Sequence, residues 1–258
     1  MRHLFSRLRG YFIFNPLIWT YTVVLGTVSL ITSLWDRDGH QQHRIARLWS
    51  WLILTTIHSP LSISGLEKID TTKPHLYAVN HLSAMDIPAL YVALPFQFHI
   101  LAKKSLFHYP FLGWHLRRSG QIPVDAESAL ASMRSLNRAA ESLKTGMPLV
   151  IFPEGGRCRD GHLQPFMPGG FYVAIKSGID IVPMALIGTF ELLPMNTYHI
   201  QPRSLHLLVG EPISSRGYTS RQVDQLSAVV HKAIADLYYS KAEVGSRPAA
   251  VQQAQPAD

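Results

Sequence analysis

Charge and cysteine are both scarce in this sequence. Only 16% of the 258 residues are charged, against roughly a quarter in an average soluble domain. With 47% of residues hydrophobic, that scarcity leans towards association with a membrane. The single cysteine, Cys158, excludes an internal disulfide and fits a reducing compartment. Acids are the scarcer charge: 17 Asp and Glu stand against 24 Lys and Arg, a net +7. Such a surplus suits anionic partners, namely phospholipid headgroups, phosphorylated substrates or nucleic acid. The chain has no helix-turn-helix, zinc or aromatic-platform signature, which argues against nucleic acid. No internal repeat is present, and no third metal ligand stands out among the 13 scattered histidines.

The longest stretch without charge runs from Gly10 to Trp35, 26 residues. That is enough to cross a hydrocarbon core, which needs about 20 apolar residues. Threonines and serines dilute it, and no small-residue cleavage site follows as a signal peptide requires. A second, ten-residue apolar stretch from Leu48 to Ile57 is too short to span. Trp19, Trp35, Trp49 and Trp51 sit in or beside the two stretches, where interfacial anchors belong. A single spanning helix and a helical hairpin dipping into one leaflet both fit; the hairpin is the favoured expectation. Residues 1–58 carry six Lys and Arg against two Asp and Glu, a complement to an anionic leaflet.

Beyond residue 58 the pattern changes. Short apolar runs at Leu76–Asn80, Phe98–Ala102, Gly120–Val124, Leu149–Phe152, Ile181–Ile187 and Leu205–Val209 read as strands. Helical periodicity spans Glu127–Lys144 and Thr219–Tyr239, and a short helix is expected over Phe171–Ser177. Pro183 suggests a bulge or an edge position for its strand. Ser62–Lys73 reads as a polar connector. The expected fold class is α/β, a mostly parallel sheet flanked by helices, with an N-terminal membrane-binding helical hairpin. The expected organisation is membrane-associated helices over 1–58, one domain over 59–241, and a disordered tail over 242–258.

Three groups of residues carry chemistry. His81 and Asp86 lie five positions apart after the first of those strands. A histidine beside a carboxylate can act as a general base whose tautomer the carboxylate fixes. An aspartate just before a helix can equally be an N-cap, and one carboxylate oxygen could do each job. Ser83 is a weak candidate for a hydrolase nucleophile, since no glycine elbow surrounds it. The second group is Phe152-Pro153-Glu154-Gly155-Gly156-Arg157. Its glycines would let backbone N–H groups approach an anion, and Arg157 offers a fork suited to phosphate. The alternative is a turn with a surface ion pair. The third is an acid-free run from Ile87 to Val124 holding Lys103, Lys104, Arg117 and Arg118. Lys103 and Arg118 are candidates for phosphate; Lys104 and Arg117 read as a solvated face.

The order Asn80-His81-x-x-x-x-Asp86, then Arg118-x-Gly120-x-Ile122-x-Val124-Asp125, then Phe152-Pro153-Glu154-Gly155-x-Arg157, then Val182-Pro183-Met184-Ala185 resembles the glycerolipid acyltransferase family. It is most similar to that family's lysophosphatidic acid acyltransferases. The resemblance covers about residues 60–215. It implies His81 as base with Asp86 as its partner, and Lys103, Arg118, Glu154, Gly155 and Arg157 around the acceptor's phosphate. It places Pro183 near the acyl donor. It implies no metal and no cofactor beyond an acyl-CoA or acyl-ACP co-substrate, and partners that are a lysophospholipid and membrane lipid. The expected location is an inner membrane with the catalytic part on the cytoplasmic side. Gly156 and Cys158 stand where the family usually has threonine and serine, so the acceptor could be another lysophospholipid or a lipid alcohol. A non-catalytic lipid-binding protein of the same fold is the other expectation.

Overall fold

A computed structural model describes residues 7–125 and 128–242. Seven strands form one sheet in the order β1-β7-β6-β2-β5-β3-β4. They are β1 (Leu61–Ser64), β2 (Leu76–Val79), β3 (His99–Lys103), β4 (Ile122–Val124), β5 (Leu149–Ile151), β6 (Ile181–Ile187) and β7 (Leu205–Val209). Every neighbouring pair is parallel except β6 with β7. All of β2, β5 and β6 is buried, because helices cover both faces. That is why these strands read as unbroken apolar runs rather than alternating ones.

Alternation appears in where the side chains go. Tyr77, Val79, Val150, Val182, Met184 and Leu186 join one apolar core. Leu76, Ala78, Leu149, Ile151, Ile181 and Ala185 join the other. Successive residues of a strand point to opposite faces, so a single sheet supplies both cores. The first core is closed by α2 (His40–Thr56) and α3 (Asp86–Ala93). The second is closed by α5 (Ala129–Lys144), α6 (Gly169–Ser177) and α8 (Val223–Tyr239). The remaining helices are α1 (Asn15–Thr32), α4 (Leu112–Arg118) and the single turn α7 (Thr189–Leu192).

The N-terminal helices depart from the expected membrane hairpin. One apolar helix spans Arg7–Thr32, with a π-helical turn at Gly10–Phe14. Its threonines stay compatible with an apolar surround because Thr20, Thr22 and Thr27 donate to the carbonyls of Pro16, Ile18 and Val23, four residues back. The second helix, α2, is not a membrane dip. It runs 17 residues and buries Gln42, Ala46, Ser50, Ile53 and Leu54 along one stripe. Ile53 and Leu54 belong to the protein's own core. The stripe that covers the sheet mixes polar with apolar residues, while Leu48 and Trp51 of the apolar stretch are exposed. The helices are tied by Trp49 Nε1 donating to Thr22 Oγ1 at 3.0 Å and by the Tyr21–Thr56 hydroxyl contact at 3.2 Å.

Two other expectations change. The polar connector begins inside a strand, Leu61–Ser64, paired with β7; an exposed edge strand with alternate serines does not look like one in sequence. Of the bulge or edge expected at Pro183, the edge is overturned, since Pro183 lies in an interior strand between β2 and β7; the register does slip by one residue around it, from Met184–Val209 to Ile181–Ile213. Its ring is tolerated because the β6–β7 ladder starts one residue later, at Met184. Opposite Pro183 stands Gly210, where a Cβ would approach the ring to 3.0 Å. The expected tail begins at Ala242, and 243–258 lie outside the described residues.

Candidate active site

The carboxyl ends of β2, β3 and β5 share one edge of the sheet, and the loops that leave them carry the polar residues, as in open α/β sheets generally. After β2 the chain is held to β6 by Asn80. Its Nδ2 donates to the Leu186 carbonyl at 2.9 Å, and its Oδ1 accepts from Leu186 N–H at 2.7 Å. Asn80 is fully buried, so it extends the sheet's hydrogen bonding by one side chain and fixes where His81 begins.

His81 and Asp86 meet. Asp86 Oδ2 lies 2.8 Å from His81 Nδ1, and the carboxyl group is fully buried while the imidazole is 19% exposed. The same oxygen accepts the backbone N–H groups of Leu82 and Ser83 at 2.7 and 2.9 Å. This differs from the expected division of labour. Asp86 does not cap α3; Met85 stands at the cap, with no side-chain cap bond. Asp86 instead curls the 81–83 loop around one oxygen. With Nδ1 engaged, Nε2 is the nitrogen left to take a proton. The ring stacks on Phe152 at 4.1 Å between centroids, which limits its rotation. Ser83 is buried, and its hydroxyl donates to the Leu193 carbonyl and accepts from Met85 N–H. It is a structural turn residue.

The loop after β5 braces the same histidine. Glu154 Oε1 accepts from His81 N–H at 2.7 Å, and Oε2 accepts from Gln164 N–H at 2.8 Å. Cys158 N–H donates to the His81 carbonyl at 3.0 Å. Both backbone groups of His81 are therefore bonded to one loop. Burial pushes the Glu154 carboxyl up to about 8, against the pull of those two N–H donors. Gly155 takes φ +69°, a conformation that favours glycine, and its N–H is spent on the Phe152 carbonyl. Gly156 and Arg157 are exposed beside it. The Cys158 thiol is buried, approaches Asp160 Oδ1 at 3.1 Å and accepts from two backbone N–H groups. Burial raises it to about 11, so it is held as a neutral thiol.

The other predicted cations separate. Lys103 ends β3 on the edge that carries His81, two strands away, or about 10 Å at ordinary strand spacing. Arg118 ends α4, which runs back towards the start of β4. Two residues on, Gly120 rests against His99, the first residue of β3. Arg118 is thus placed by the opposite edge of the sheet and is not brought alongside His81. Among the described residues no group of His, Cys, Asp and Glu could hold a metal ion.

The acyltransferase family model matches residues 60–187, a span that includes His81, Asp86 and the 152–158 loop. The chain belongs to the acyltransferase family. The chain is 32% identical over 218 residues to the chloroplastic 1-acyl-sn-glycerol-3-phosphate acyltransferase LPAT1 of Arabidopsis thaliana, covering 81% of this chain and 60% of that one. It is 27% identical to the 1-acyl-sn-glycerol-3-phosphate acyltransferase of Saccharomyces cerevisiae, over 86% and 73% of the two chains. It spans about 60% of the length of the first plant relatives. The crystal structure of the 1-acyl-sn-glycerophosphate acyltransferase PlsC from Thermotoga maritima superposes with a TM-score of 0.71 at 26% identity, covering 90% of this chain and 93% of that one.

Two residues that build the acyltransferase site carry no catalytic signature in sequence: Asn80, which clamps the loop, and Phe152, the platform under His81. The legible signal for Asn80 is its place between an all-apolar strand and a histidine, where a buried amide needs partners for both its ends. Phe152 closes an apolar run and opens the Phe152–Arg157 motif, but neither marks it as the platform for a distant ring.

Proposed function

We propose that this acyltransferase moves an acyl group from an acyl thioester of coenzyme A or acyl carrier protein to the free hydroxyl of lysophosphatidic acid, giving phosphatidic acid. His81 Nε2 takes the hydroxyl proton as the oxygen attacks the thioester carbonyl. The ester C–O bond forms, the C–S bond breaks, and the thiolate leaves with the proton held on His81. Asp86 keeps the other proton on Nδ1 and offsets the imidazolium charge at the transition state. No covalent acyl-enzyme is needed. Base action contributes roughly 10²–10⁴-fold, and positioning of two substrates supplies much of the rest.

Arg157 and Lys103 are the cations we assign to the acceptor's phosphate, both exposed at the edge that carries His81, Lys103 as the last residue of β3 and Arg157 on the loop after β5. The Glu154 carboxyl is pushed up to about 8 by burial and has both oxygens on backbone N–H groups, so we assign it to holding His81 rather than to the ligand. We assign 1–58 to membrane association and 59–241 to acyl transfer, with α2 completing the core of the latter. The membrane face we propose is the cytoplasmic side of an inner membrane, where acyl thioesters are made.

The observation that carries this reading is the His81–Asp86 pair, which engages Nδ1 and leaves Nε2 without a hydrogen bond among the described residues. The deciding experiment follows free-thiol release and lipid products with a panel of lysophospholipids, offered with acyl-CoA and acyl-ACP. Phosphatidic acid from lysophosphatidic acid supports the proposal. Preference for an uncharged or zwitterionic acceptor would trace to Gly156 and Cys158 and overturn the phosphate assignment. Thiol release with no acceptor consumed would mark a thioester hydrolase.

A further inference from the structure

The connection from β3 to β4 exposes apolar surface beside the catalytic edge. Within nine residues Leu106, Tyr109, Phe111, Leu112 and Trp114 are 37%, 59%, 63%, 46% and 51% exposed. Single exposed apolar residues are ordinary; five this close mark a contact surface. Phe111 carries strain as well. It takes φ +58°, ψ −61°, and Leu112 N–H closes back onto the Pro110 carbonyl at 2.6 Å. This is a γ-turn of the rare, strained hand, and no glycine relieves it. The turn is locked from beneath, since a Cβ on Gly113 would collide with the Phe107 carbonyl. A bulky aromatic is thus held outward in a costly conformation, its ring 5.3 Å from that of Trp114.

We propose that Phe111, Leu112 and Trp114 form a wedge that enters a lipid bilayer bearing anionic headgroups, a second membrane contact besides α1. This rests on the reading of α1 as the membrane-associated helix. Two observations choose lipid as the occupant. The wedge is continuous with α1: Ser29, on α1, meets His115 Nδ1 at 3.0 Å. Along α1 the large apolar side chains Trp19, Val23, Val24, Val28 and Ile31 are exposed. The segment is basic in sequence: Lys103, Lys104 and His108 precede the wedge, Lys104 being paired with Asp125 at 2.8 Å, Arg117 and Arg118 follow it at the far end of α4, and no acid occurs from Ile87 to Val124. Aromatics at headgroup depth with cations beside them complement an anionic interface. Because the segment leaves the sheet from the carboxyl end of β3, the wedge would seat the His81 edge against the surface that delivers a lipid acceptor.

The test keeps Trp114 as the one tryptophan by replacing Trp19, Trp35, Trp49 and Trp51 with Phe in the full chain. The protein is floated with vesicles of phosphatidylcholine and phosphatidylglycerol, the acyl chains of one component brominated. Quenching of Trp114 by the bromines is expected. In the otherwise native chain, Phe111→Asn with Trp114→Gln should weaken partition into the same vesicles about tenfold or more. Asn is chosen at 111 because it tolerates positive φ. Unquenched Trp114 in protein that still floats overturns the wedge and leaves α1 as the membrane contact. Unchanged partition of the double variant overturns it too. Native protein that fails to float overturns the reading of α1, and the wedge with it.

Discussion

Asp86 Oδ2 takes three hydrogen bonds, from the imidazole and from two backbone N–H groups. It both orients the base and shapes the loop. Asp86→Asn can present an amide N–H where an acceptor is required, so turnover should fall by about 10²–10⁴-fold. Steady-state kinetics on protein with native circular dichroism checks this. Glu154→Gln can satisfy only one of the His81 and Gln164 N–H groups. The orphaned donor should cost about 1–3 kcal/mol in stability. The account expects kcat to drop with the KM for the acceptor little changed; the opposite split would return Glu154 to the phosphate. Arg157→Ala should raise the KM for an anionic acceptor and leave a neutral one unaffected. At this scale the His81–Asp86 spacing was legible, because five residues spanning a strand end and a helix start can meet through a local turn. The part played by Glu154 was not, because its partner His81 lies 73 positions away and no local pattern encodes such a contact.

Among the elements, α2 is where sequence and structure part most. Its ten-residue apolar stretch suggested a membrane dip, but Gln42 and Ser50 share the buried stripe, and polar residues break the apolar pattern that would have marked a core helix. His43 on this helix lies between Tyr91 and Phe98, with ring centroids at 5.2 and 5.3 Å. Burial lowers its pKa to about 4, with the Arg47 charge adding to the shift. The folded chain therefore resists a proton that the unfolded chain accepts near 6.5. Stability from this site is present above about 6.5 and is lost as pH falls towards 4, by on the order of 1–3 kcal/mol. Urea unfolding at pH 7 and pH 5 should show a smaller acid penalty in His43→Leu than in the native chain. Equal penalties would remove His43 as the cause. The sheet strands were legible because parallel, doubly covered strands are continuous apolar runs. Leu61–Ser64 was not, since its pairing to β7 comes from 144 residues downstream and its outward serines match a loop.

For the whole molecule, one sheet divides two cores and places three loops on a single edge, which carries the base, its brace and Lys103. The α/β class and a membrane-length apolar segment were legible from composition and periodicity. The placement of Arg118 by the opposite edge was not, because it depends on which way α4 runs back. The account stands on His81 acting as the base that activates an acceptor hydroxyl. The most direct measurement is acyl transfer by purified His81→Ala protein, bound to vesicles and folded by circular dichroism, with lysophosphatidic acid and an acyl thioester. Turnover should fall by about 10²-fold or more with vesicle binding unchanged; undiminished turnover would remove His81 as the base.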